Sequence, residues 1–142
     1  MGAPPCPLCE GPGGDMVFQG SKFRVIRTDE GQFPAFYRLV WTEHVPEFSD
    51  LPSADRHACL DAVVHVEQCL RAHLRPTKVN LASLGNAVPH LHWHIVARFA
   101  WDSHFPAPVW GIAQRQVADA QMARIAALRP AVEADMARRL GG

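Results

Sequence analysis

His90-Leu91-His92-Trp93-His94-Ile95-Val96 decides how this chain is read, because its polar and apolar residues alternate without a break. Side chains two apart on a β-strand point the same way and lie roughly 6.6 Å apart. The alternation therefore predicts a strand that sends three imidazoles to one face and Leu91, Trp93 and Ile95 into a core behind it. A helix would scatter the same residues around its circumference. Three ring systems in a row on a rigid element form a preorganised surface for an anion or a metal.

Working outward, residues 90–99 read as the longest strand, residues 77–84 as its upstream neighbour, and Gly85-Asn86 as the turn between them. Two short strands are predicted over 16–20 and 22–28, meeting at Gly20-Ser21, and a third over 34–42, where aromatic and β-branched residues concentrate. Between Pro52 and Pro76, Cys59, Ala62, Val63, Val66, Cys69, Leu70 and Leu74 recur at spacings of three and four, the stripe of an amphipathic helix with Ser53 as its N-cap. Cys59 and Cys69 then lie roughly 15 Å apart along the axis, too far for a disulfide, and are packing cysteines. His57 and His65 fall off the stripe as solvated residues, and His73 sits at its edge, half-buried.

Residues 101–110 read as an irregular crossing segment, with Trp101, His104 and Trp110 in packing roles. A terminal helix follows, with Ile125, Leu128, Val132, Met136 and Leu140 on one face and Pro130 marking a kink or restart. Strands, one helix, two more strands and a last helix predict an antiparallel α+β domain spanning 1–142, divided into an arm (1–14), a core (15–99) and a C-terminal part (100–142).

Composition narrows the function classes. The chain has 142 residues, 48% of them hydrophobic, and 14 Lys plus Arg balance 14 Asp plus Glu. A clustered positive excess of the kind that binds nucleic acid electrostatically is therefore not expected. No apolar run reaches the roughly 18 residues of a membrane span, and the first residues lack the pattern of a signal peptide, so a cytoplasmic location is expected. In such a setting Cys6-Pro7-Leu8-Cys9 points to metal or redox chemistry before a disulfide. A redox pair usually opens a helix after a strand; this one precedes the first strand in a Pro/Gly-rich arm, and no redox cofactor is expected.

The histidine strand itself allows three readings: polar residues on an edge strand, three ligands of a catalytic metal with one open position, or a histidine nucleophile. A neutral imidazole attacks phosphorus when a hydrogen bond on its far nitrogen fixes the tautomer.

The pattern His-φ-His-φ-His-φ-φ, matched in full by residues 90–96, resembles the signature of the histidine triad (HIT) family of nucleotide hydrolases and transferases. Residues 84–89 resemble the turn that leads into that motif, and residues 38–44, ending in His44, resemble the family's third strand. The resemblance implies a HIT-like fold, a five-stranded antiparallel sheet with one main helix and a C-terminal helix, paired as a homodimer. It implies attack by His92 on the α-phosphorus of a dinucleoside polyphosphate or nucleoside phosphoramidate, transient nucleotidylation, and release of a nucleoside monophosphate by water. His94 would contact the phosphate and His90 would support the arrangement. Asn80 and Asn86 would meet phosphate, and Asp29 a ribose hydroxyl. Cys6 and Cys9 would join His44 and His90 in a structural zinc set. The chain departs from the family pattern at Asn86, commonly Gln, at Ala87, often Ser or Thr, and at Phe36, where many members carry a fourth His. Those departures keep two rivals open: a nucleotide-binding module with little turnover, and a metallohydrolase using all three triad histidines.

Overall fold

The computed structural model describes residues 5–142. Strands β1 (Asp15–Gln19), β2 (Phe23–Arg27), β3 (Phe36–Trp41), β4 (Lys78–Ala82) and β5 (His92–Arg98) form one antiparallel sheet in the order β1-β2-β3-β5-β4. The histidine strand thus lies inside the sheet, between β3 and β4. Helix α1 (Pro7–Glu10) is a single turn in the arm, α2 (Ser53–Leu74) joins β3 to β4, and α3 (Asp119–Gly141) closes the chain. The predicted α+β fold, with its main helix and its C-terminal helix, is the observed one.

Alternation divides the sheet into two faces. Val25, Tyr37, Leu39, Trp41, Val79, Ile95 and Ala97 enter the main core, where they meet Cys59, Val63, Val66 and Leu70 of α2 and Ile125, Val132 and Met136 of α3. Cys59 and Cys69 are buried as packing residues, and burial pushes both thiols up to about 11. His57 and His65 are exposed, while His73 donates from Nε2 to Asp135 at 2.8 Å across the α2–α3 contact. A second tie joins α3 to the sheet, since Glu133 accepts from Arg27 Nη1 at 2.6 Å and from the buried Tyr37 hydroxyl at 2.8 Å.

Three details differ from the expectations. Helix α2 has Pro52, not Ser53, at its N-cap, because the proline's extended backbone leads into the first turn and Ser53 is already helical. Helix α3 runs unbroken through Pro130, whose side chain lies on the exposed side. Strand β5 begins at His92 rather than His90: β3 ends at Trp41, and upstream of His92 the backbone turns to other partners, with His90 N–H donating to Val88 O at 2.8 Å and Leu91 N–H to Val45 O at 2.8 Å. Among the described residues no helix is long and apolar enough to cross a membrane.

Candidate active site and metal centre

The sheet face turned away from α2 and α3 carries Arg24 and Ile26 from β2, Phe36, Arg38 and Val40 from β3, and His92, His94, Val96 and Arg98 from β5. Each end of this face is covered by irregular chain. At one end Leu8 of the arm packs on Ile26 and Val40. At the other, Phe33, Phe36 and Val96 receive Val109 of the crossing segment. Between these covers lies a cleft of about 370 Å³, lined by His92, His94, Arg38, Leu8, Gly85, Asn86 and Ala87 among others. Gly85 has φ +74, a conformation that favours glycine, so the β4–β5 connection can turn tightly at the cleft rim.

His92 is held by its own strand entry. Its Nδ1 lies 2.6 Å from the His90 carbonyl oxygen. A carbonyl only accepts, so Nδ1 carries the proton and Nε2 is left with its lone pair. Burial lowers the His92 pKa, the carbonyl bond opposes that shift, and the Arg38 charge adds to it. His94 follows two residues on, its ring centroid 5.0 Å from that of His92 at 78° and 5.7 Å from that of Phe36 at 85°. Burial first, then His92 and Arg38, push its pKa down to about 4, so both rings are neutral near pH 7.

His90 faces elsewhere. It is 1% exposed, and its Nε2–H donates to Trp41 O at 2.6 Å, leaving an Nδ1 lone pair aimed at the arm. There Cys6 Sγ lies 3.4 Å and Cys9 Sγ 3.5 Å from His90 Nδ1; His44 Nδ1 is 3.1 Å from His90 Nδ1 and 3.3 Å from Cys9 Sγ. One ligand atom from each of Cys6, Cys9, His44 and His90 lies within 4.8 Å of every other. Zinc bonds of about 2.3 Å to sulfur and 2.0–2.1 Å to nitrogen place tetrahedral ligands roughly 3.3–3.8 Å apart, so the set fits zinc with little movement. Four protein ligands leave no open position, which suits a structural ion.

The sequence-predicted residues thus divide. His92, His94 and Asn86 share the cleft, and His90 joins the cysteine cluster behind it. Asp29 is exposed on the β2–β3 loop and lines neither this cleft nor the wider one beyond Arg38. Asn80, on β4, accepts at Oδ1 from Arg98 Nη1 at 2.8 Å and lines a separate depression. Trp101 stacks on Phe99 at 4.6 Å, whereas Trp110 is 62% exposed.

Two arginines were missed. Arg24 is buried and donates to three arm carbonyls, those of Leu8 (2.8 Å), Gly11 (3.0 Å) and Pro12 (3.0 Å). Arg38 stands opposite His94 in the β3–β5 register and lines the cleft. Arg38 is the one charged residue of an otherwise apolar strand, and Arg24 a cation next to the apolar pair Val25-Ile26, and that was the available signal.

An arm that brings a CxxC pair beside His44 and His90, and a histidine cleft on the helix-free face of a five-stranded antiparallel sheet, define the class of α+β protein. The HIT domain family model matches residues 13–101, and the chain belongs to that family. It is similar to a histidine triad protein from Bradyrhizobium japonicum, at 29% identity and a TM-score of 0.66 over 83% of this chain and 91% of that one. A HIT family hydrolase from Legionella pneumophila matches at 19% identity and a TM-score of 0.53, over 65% of this chain and 91% of that one. A zinc-bound histidine triad family protein from Mycobacterium smegmatis matches at 14% and 0.58, over 88% and 85%. No curated protein shows a significant sequence match to the chain.

Proposed function

We propose that this protein is a nucleotide hydrolase or nucleotidyl transferase that works through a covalent intermediate on His92. The observation that carries this reading is the 2.6 Å contact from His92 Nδ1 to the His90 carbonyl, which fixes the tautomer with a free Nε2 lone pair. Nε2 forms a bond to the α-phosphorus as the bond from phosphorus to the leaving group breaks. The leaving group takes that electron pair. Water then attacks the same phosphorus, the phosphorus–nitrogen bond breaks, and a nucleoside monophosphate departs. Catalysis at phosphorus is mostly positioning and charge neutralisation, which His94, Asn86 and nearby backbone would supply. His90 acts from behind: its carbonyl orients His92 while its ring, with Cys6, Cys9 and His44, would hold a structural zinc. A metal held by all three triad histidines is disfavoured by the same geometry, since the free nitrogen of His90 faces the cysteines. The family resemblance also brings a homodimer into the reading.

The test is intact-protein mass after rapid quenching without acid, with a diadenosine polyphosphate and, separately, an adenosine phosphoramidate. A nucleotidyl adduct on the wild type, absent from His92→Asn, together with released monophosphate, is the expected result. Full turnover by His92→Asn would overturn the reading. Tight nucleotide binding with neither adduct nor product would instead favour a binding module.

A further inference from the structure

Arg38 connects the triad cleft to a second, wider one. The same side chain lines both the cleft of about 370 Å³ around His92 and His94 and an adjoining one of about 600 Å³ that includes Phe33, Phe36, Trp110, Arg115 and Gln116. Its strand register sets it directly across from His94, and its guanidinium carbon lies 5.6 Å from the centre of the Phe36 ring. Among the described residues its Nη2 donates to Glu30 Oε1 at 3.0 Å, while its Nη1 makes no hydrogen bond. A guanidinium nitrogen without a protein partner, on a side chain that lines both clefts, is available to a phosphate oxygen.

The rest of the cleft sharpens the choice of substrate. Its lining holds no hydroxyl, no carboxyl and no lysine, His92 spends its one N–H on the His90 carbonyl, and burial holds His94 neutral near pH 7. An amine cannot leave phosphorus as its anion, so it must gain a proton as the bond breaks; none of these side chains is a good acid. A phosphate leaves as a stable oxyanion and needs only neutralisation, which a fixed cation supplies.

We infer that Arg38 binds the phosphate of the leaving group, and that the protein therefore prefers nucleotidyl anhydrides, whose leaving group is itself a phosphate, over phosphoramidates of amines. The inference rests on the His92 reading. As His92 Nε2 bonds to the α-phosphorus, the α-phosphorus–bridging oxygen bond breaks, the electron pair stays on that oxygen, and Arg38 meets the charge. The remainder of the leaving group extends into the wider cleft.

The experiment compares kcat/KM for a diadenosine polyphosphate and for adenosine 5′-phosphoramidate in wild type, Arg38→Leu and Arg38→Lys. The expected wild-type preference for the polyphosphate is at least tenfold; Arg38→Leu lowers the ratio of the two constants at least tenfold, and Arg38→Lys restores part of it. General damage to the fold would lower both constants and leave the ratio unchanged, which would overturn the inference, as would a wild-type preference for the phosphoramidate. Binding separates this inference from the one it rests on. His92→Asn should bind adenosine diphosphate about tenfold more tightly than the monophosphate, and His92→Asn combined with Arg38→Leu should lose that advantage. Equal binding of the two nucleotides to His92→Asn overturns the Arg38 assignment. A retained difference alongside a wild type that forms no adduct overturns covalent catalysis alone.

Discussion

His94 holds its Nδ1 buried and without a partner among the described residues, beside a His92 whose own Nδ1 is fully engaged. Its neutral form is the one the fold accepts, with a pKa near 4 against the usual 6.5. Between those values the unfolded chain binds a proton that the folded one refuses, so stability falls as pH drops through this window. Urea midpoints of the wild type should decline from pH 6.5 toward 4.5, and His94→Asn should show a shallower decline. A His94→Asn profile parallel to the wild type would mean the imidazole is not held neutral. What sequence could say of this residue was its face and its spacing. Its neutrality comes from burial first, then from His92, and then from the charge of Arg38, which arrives from another strand.

At the level of elements, Arg24 does for the arm what a hydrogen-bonded ladder does for a strand. The carbonyls of Leu8, Gly11 and Pro12 all converge on one buried guanidinium, giving an irregular segment a fixed course over β2. Gly13 completes that course, since a Cβ there would come within 2.9 Å of Leu8 Cδ2 at a backbone φ of +87. Charge-assisted bonds of this kind are worth about 1.5–3 kcal/mol each at most and are not additive, so Arg24→Ala should cost about 2–4 kcal/mol in urea unfolding. Limited proteolysis should then cut first near residues 10–14. The regular elements were legible because their periodicity records burial directly: the stripe of α2 and the alternation of β5 each name their own inner face. The boundaries were less so. Whether β5 starts at residue 90 or 92 depends on hydrogen bonds that His90 and Leu91 donate to Val88 and Val45, and a local pattern carries no information about those partners.

The molecule as a whole is a sheet whose helix-free face is closed at both ends and open in the middle. Asp102 secures one closure: fully buried, it accepts from Arg98 Nε at 2.8 Å, from Arg98 Nη2 at 3.1 Å and from the backbone N–H groups of Phe99, His104 and Phe105. The cysteine cluster secures the other, because Cys6 and Cys9 meet His44 and His90 from sequence positions far away. Zinc bound by the folded chain alone adds its binding energy to stability. A chelator should therefore lower the melting temperature by about 5–10 °C, and Cys9→Ala should abolish that metal-dependent difference. Melting curves with and without added zinc, alongside metal analysis of the purified protein, check this. The triad and the CxxC pair were legible as motifs, and the family resemblance already put His90 with Cys6, Cys9 and His44, whereas the alternation alone sends all three rings to one face. One histidine of the three turns its ring to the cysteines and lends only its carbonyl to the cleft, which follows from chain direction at Trp41 and Leu91.

The buried pair Cys59 and Cys69 gives the chain a built-in gauge of its own condition. Their thiols sit in the core and resist ionisation, whereas Cys6 is partly accessible and Cys9 exposed. An alkylating reagent acts on thiolate that it can reach. With zinc in place the arm cysteines are protected as well, and no label is taken up. A folded chain stripped of metal takes label at Cys6 and Cys9 alone, and only an unfolded one reports all four. A single mass spectrum of an alkylated sample thus separates loss of the ion from loss of the fold.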